Sequence, residues 1–236
     1  MALRRAFLLG VIASLAGLLA GCGLSPVQSA LRADPVTESD LPPARRRALI
    51  RLELADAYLQ RGQALVALDE VKQALLLSPE LPAAWTLRGL AHLQLGDEAR
   101  ARESFDRAFE LAPDDGDVLH NRGWLICQQA PSPSSADQGQ ALMRRALARP
   151  GYRHADRSWL ALAACQERVG QPSRAIESLS QLALEQVGQP QTLWQAARMA
   201  RRLDNPDLVS RFGLQLRTRF GQSPQAAAFD KGSWDE

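Results

Sequence analysis

The chain has 236 residues, 46% hydrophobic, with 28 basic and 26 acidic side chains and three cysteines. Its formal charge of +2 equals the contribution of Arg4 and Arg5 at the extreme N-terminus, so the remainder is neutral by count and lacks the basic stripe of a nucleic-acid binder. Lysine occurs only at Lys72 and Lys231, neither in the Gly-Lys-Ser/Thr setting of a phosphate loop, and neither His-Glu-x-x-His nor Gly-x-Ser-x-Gly occurs. The reading is therefore of a non-enzymatic chain with no catalytic residue, no metal site, no cofactor and no small-molecule substrate.

In chain order, Arg4 and Arg5 precede the uncharged run 6–20, "AFLLGVIASLAGLLA". Fifteen helical residues reach only ~23 Å, short of the ~30 Å hydrocarbon core that about 20 residues span. A positive start, a short apolar middle and small residues at the end make a signal peptide over 1–21. Its end, Leu19-Ala20-Gly21-Cys22, resembles the bacterial lipobox; the alternative is a plain signal peptide with a chance cysteine. The lipobox implies cleavage before Cys22, lipidation of that cysteine by a diacylglyceryl and an N-acyl chain, and stable anchoring, since two or more chains hold where one does not. Gly23 stands where Asp resembles an inner-membrane retention signal, so the expected location is the periplasmic side of the outer membrane. Residues 22–43, with four prolines, read as the lipidated cysteine and a flexible tether of roughly 25 Å typical reach.

From 44 to 230 the pattern is helical and repeats. "LELADAYLQRGQALVALDEVKQALLLSPE" aligns with "WTLRGLAHLQLGDEARARESFDRAFELAPD" at a period of 34 residues, pairing Ala55 with Gly89 and Gly123, Gly62 with Gly96, Ala67 with Ala101, Val71 with Phe105, Ala74 with Ala108 and Pro79 with Pro113. This period and these residue types resemble the tetratricopeptide repeat. Gly62 and Gly96 suit a helix stop at positive φ, the small residues allow antiparallel helices to approach, and the prolines end the second helices. The predicted fold is all-α: a superhelix of about five helix-turn-helix repeats and a capping helix. The third repeat carries a longer turn, "QQAPSPSSADQG", before a second helix "QALMRRALA". A fourth runs from about Asp156, and a fifth from Gln191 breaks at Asn205-Pro206, with its pairing open. Ser223 and Pro224 start the closing helix, and 231–236 read as a loose tail.

Cys127 and Cys165 fall on the first helices of repeats three and four, two places out of phase. Buried free thiols are favoured, with a disulfide as the alternative. His92 takes a packing place, and no histidine pair has metal-ligand spacing.

Function must then lie on a surface. In the repeat family, ligand contacts come from places 2, 5, 9, 12 and 13: Leu49, Leu52, Asp56, Leu59 and Gln60, then Ala83, Thr86, Leu90, Leu93 and Gln94, then Asp117, His120, Trp124, Cys127 and Gln128. Leu49, Leu52, Leu59, Leu90, Leu93 and Trp124 form a predicted apolar partner-binding stripe, with core packing as the alternative. Such a stripe suits an amphipathic helix or strand.

Lipobox, tether and repeats together resemble the PilF/PilW lipoproteins, the pilotins of type IV pilus secretins. "LHNRGWLICQQ" is similar to that family's helix at His120, Asn121, Gly123 and Leu125, and "FGLQLRTRFGQSPQAAAF" to its closing segment at Gly213, Leu214, Gln215, Leu216 and Phe229. The resemblance implies an escort that binds secretin subunits and promotes their outer-membrane localisation and assembly. The other reading is a general periplasmic repeat lipoprotein that organises cell-wall or polysaccharide-export machinery.

Overall fold

Helix starts are written locally into this chain. Among the described residues, 40–234 of a computed structural model, eleven helices form, and seven begin on proline, whose fixed φ suits a first helical turn and whose missing N–H costs nothing there. Signal peptide, Cys22 and most of the tether lie outside the described residues.

The helices are α1 (Pro43–Gln60), α2 (Ala64–Leu77), α3 (Pro82–Gln94), α4 (Glu98–Leu111), α5 (Gly116–Gln129), α6 (Pro133–Leu147), α7 (Ala155–Arg168), α8 (Pro172–Glu185), α9 (Pro190–Arg202), α10 (Pro206–Phe220) and α11 (Pro224–Lys231). They pair as α1/α2, α3/α4, α5/α6, α7/α8 and α9/α10, each second helix then packing on the next first helix, with α11 against α9 and α10. This is the tetratricopeptide superhelix. The fifth pair, left open by the sequence, is formed around Ala196, Ala200, Leu208, Phe212 and Leu216. None of the described helices is long and apolar enough to cross a membrane.

The repeat landmarks act as their chemistry requires. Gly62, Gly96 and Gly170 end first helices at φ 75°, 77° and 75°, and Asp204 takes the same left-handed place in the fifth repeat at φ 52°. The small residues set the approach: a Cβ on Gly89 would collide with the Phe105 ring, and one on Gly139 would stand 2.5 Å from the Gly123 carbonyl oxygen. Ala48, Leu52, Ala55, Ala67, Val71 and Ala74 make the core of repeat one.

Three expectations are corrected. First, the Pro/Ser stretch is not an extended turn. The turn is residues 130–132, as short as the others, and α6 starts at Pro133 because Ser132 and Ser135 form a reciprocal capping box. The extra residues fall instead in the link 148–154, against 112–115 one repeat earlier. Second, Cys127 and Cys165 are not free thiols. They form a disulfide with Cα atoms 5.6 Å apart. Counted from their helix starts they are the twelfth residue of α5 and the eleventh of α7, so the longer link brings them nearly level. Third, the described part of the tail is held. Trp234 stacks on Trp194 at 5.0 Å between ring centroids, meets Phe229 edge-on and lies under the Arg201 guanidinium.

Among the described residues the two ends of the array differ. α11 covers the fifth repeat, Phe229 lying against Gly213. Among the described residues no helix precedes α1. Ile50 is 57% exposed, whereas its equivalents Ala84 and Val118 are 0% and 3% exposed, lying on helices that a preceding repeat covers. Leu54 and Leu76 are also exposed, and Leu76 stands where Glu110 stands one repeat later.

Candidate functional site: a concave groove

The first helices α1, α3 and α5, with the start of α7, enclose a groove of about 450 Å³. Asp56 and Gln60 reach it from α1, Ala83, Thr86 and Leu90 from α3, Asp117 and Asn121 from α5, and His154 and Arg157 from the start of α7. These are largely the repeat places expected to bind, but the residues on them are more polar than the apolar stripe anticipated.

Asp117 meets two side chains of the 148–154 link. His154 Nδ1 lies 2.7 Å from its Oδ1, and the Tyr152 hydroxyl reaches the same oxygen at 3.5 Å. Tyr152 also meets Ser158 Oγ at 3.1 Å, and Ser158 Oγ meets His120 Nδ1 at 2.8 Å. Tyr152 and His154 both belong to the lengthened 148–154 link. Burial pushes the Tyr152 phenol up to about 12. Burial, aided by the Arg157 charge, lowers His120 to about 4, so its imidazole is neutral at neutral pH. Asp115 is engaged as the α5 N-cap, accepting from the backbone N–H groups of Asp117 and Val118. Asp56 accepts from Gln60 at 2.7 Å.

The Ser158–His120 contact is not a nucleophile–base pair poised for attack. Ser158 is fully buried, and the nearby carboxylate, Asp117, bonds to His154 rather than to His120. Among the described residues no group of three or more His, Cys, Asp or Glu side chains could hold a metal ion.

The tetratricopeptide repeat sequence profile matches residues 52–116. TPR repeat-containing protein PA0015 of Pseudomonas aeruginosa is 33% identical over 70 residues, 30% of this chain and 67% of that protein. The chain belongs to the tetratricopeptide repeat family. Among solved structures, it is similar to a thermophilic repeat protein of Thermus thermophilus (19% identity, TM-score 0.61, covering 79% of this chain and 96% of that one). It is also similar to PilW, a widely conserved type IV pilus biogenesis factor (21%, 0.54, 77% and 97%), and to Pseudomonas aeruginosa pilF (18%, 0.55, 81% and 100%). At these identities the likeness establishes the fold.

Within this tetratricopeptide array the six predicted leucine and tryptophan positions differ in burial. Leu52 is 5% exposed and belongs to the core. Leu49 and Leu59 are half-buried against that core. Leu93 and Trp124 pack beside Ala101, Phe105 and Leu125. Leu90 shares that packing and also lines the groove. His154 and Arg157 were missed because the 34-residue register breaks before them, and no sequence signal locates the added link.

Proposed function

We propose that this chain is an outer-membrane lipoprotein, anchored through Cys22 on the periplasmic side, whose repeats hold a secretin subunit of the type IV pilus and promote its assembly. The observation that carries the reading is the exposed apolar face of the first repeat. A cleft of about 540 Å³ lies between α1 and α2, lined by Ile50, Leu54, Leu76 and Leu77 with Arg47 and Arg51. Terminal repeats of a solenoid ordinarily present a polar outer face. An apolar one suits an amphipathic partner helix packed as a preceding repeat would pack. Leu90 in the concave groove, with the partly buried Leu49, Leu59, Leu93 and Trp124, adds partner-binding area. The order of signal, Cys22 and tether, and the local phrases at His120–Leu125 and Gly213–Leu216, support the pilus assignment. The shared fold with PilW and pilF is compatible with it.

The test is a cross-linked pull-down from membranes with this chain as bait. Recovery of a secretin subunit supports the reading; recovery of cell-wall or polysaccharide-export machinery without a secretin overturns it. Cys22→Ala should leave the body folded but mislocalised, with secretin multimers reduced.

A further inference from the structure

The first two repeats treat one place in opposite ways. In repeat two, Asp106 on α4 accepts from Arg122 Nε on α5 at 2.8 Å, and the Arg122 guanidinium lies over the Phe109 ring at 4.2 Å. The cleft there holds about 170 Å³. One period earlier, Lys72 stands in the place of Asp106, while Arg88 keeps the arginine of Arg122. Two cations therefore replace an ion pair. Leu68 and Leu76 stand in the places of Arg102 and Glu110. The result is a wider cleft beside α2 and α3, about 440 Å³, with Leu68, Leu75 and Leu76 on its walls. The half-buried Arg88 donates to the Ser104 hydroxyl at 3.0 Å and lies over the Trp85 ring. Both partners are neutral, so they aim the guanidinium without offsetting its charge. Lys72 is exposed and forms no ion pair among the described residues. Asp69, the one acidic side chain in the lining, pairs with neither cation. Leu76 is 72% exposed.

We infer that this cleft receives an amphipathic helix of a partner protein, with an Asp or Glu carboxylate held against Lys72 and Arg88 and apolar side chains on Leu68, Leu75 and Leu76. The partner's carboxylate takes the place that Asp106 fills from within the chain in repeat two. Hydrogen bonds between a guanidinium and a carboxylate are the strong, charge-assisted kind. The leucine walls suit the i, i+3, i+4 anchors of a docked helix. The cleft shares no lining residue with the concave groove and meets the end cleft of repeat one only at Leu76. It does not rest on the secretin reading.

The test uses the full-length protein in detergent and three blocked amphipathic helical peptides of about 15 residues, identical except for glutamate, glutamine or lysine at the edge of a leucine face. Binding is followed by fluorescence anisotropy. Carbodiimide coupling then maps the contact, since Lys72 and Lys231 are the only lysines. The glutamate peptide should bind roughly tenfold more tightly than the glutamine peptide and couple to Lys72. Lys72→Asp, which installs the carboxylate of repeat two, should keep the melting temperature and remove the preference for glutamate; Lys72→Met serves if Lys72→Asp unfolds. Equal binding of the glutamate and glutamine peptides, tighter binding of the lysine peptide, coupling at Lys231 alone, or an unchanged preference in the Lys72 variants overturns the proposal. So does Lys72-dependent binding to phosphatidylglycerol vesicles with no peptide bound, which would make the cleft a lipid-headgroup site.

Discussion

Breaking the Cys127–Cys165 bond should loosen the middle of the array by a calculable amount. The bond joins α5 to α7 across a sequence separation of 38 residues. Closing a loop of that length removes about 4 kcal/mol of unfolded-chain entropy. For an array of this size each kcal/mol moves the melting temperature by about 2–4 °C, so reduction should lower it by roughly 8–16 °C. Loss of packing adds little, because both sulfurs lie in an apolar cluster with Ala136, Met143 and Leu162 that accepts a small side chain. Thermal unfolding by circular dichroism should be compared for the oxidised protein, the same protein in phosphine reductant, and Cys127→Ala/Cys165→Ala. The last two should coincide, well below the first. Since repeats stabilise one another through neighbours, amide exchange should quicken most in α5–α8. Superimposable oxidised and reduced transitions would refute the reasoning, as would a non-reducing peptide map without a 127–165 link.

Acid should also destabilise the fold through His120. Burial holds it neutral to about 4, whereas the unfolded imidazole takes its proton near 6.5; stability is full above 6.5 and falls as the pH drops towards 4, by about 2 kcal/mol at pH 5. In urea titrations, His120→Gln should flatten this part of the curve, and an unchanged slope contradicts the assignment. Gly139→Ala should cost about 1–3 kcal/mol, since the added carbon meets a carbonyl that cannot step aside; a neutral result in chemical denaturation counts against the close α5–α6 approach. Leu52→Ala should cost about 2–5 kcal/mol, while Ile50→Ser, at 57% exposure, should stay within about 0.5 kcal/mol; similar losses would mean that the two positions do not differ as described.

Much of the fold was legible because its determinants are local. The 34-residue spacing of Gly62 with Gly96, Ala67 with Ala101 and Val71 with Phe105 encodes a helix stop, a close approach and a space-filler, and each acts at its own place. Ser223-Pro224 announced α11 in the same way. The third repeat misled because "PSPSS" reads as a loop by composition, whereas Ser132 caps and Pro133 opens a helix. That misplacement concealed the long link 148–154, and with it the disulfide and the Tyr152–Asp117–His154 contacts. Leu52 was misjudged for a different reason. Periodicity tells which helix face a residue occupies, but only packing tells whether a neighbour already covers it, and Leu52 is covered while Ile50 is not.

We propose that the exposed apolar face of the first repeat holds a secretin subunit. It is tested most directly by photo-cross-linking in living cells, with p-benzoylphenylalanine introduced at position 54 on that face and, as control, at position 184, where Leu184 is exposed on α8. A light-dependent adduct containing the secretin subunit is expected from position 54 and none from position 184. Equal capture at both positions, or an adduct at 54 that lacks the secretin, would contradict it.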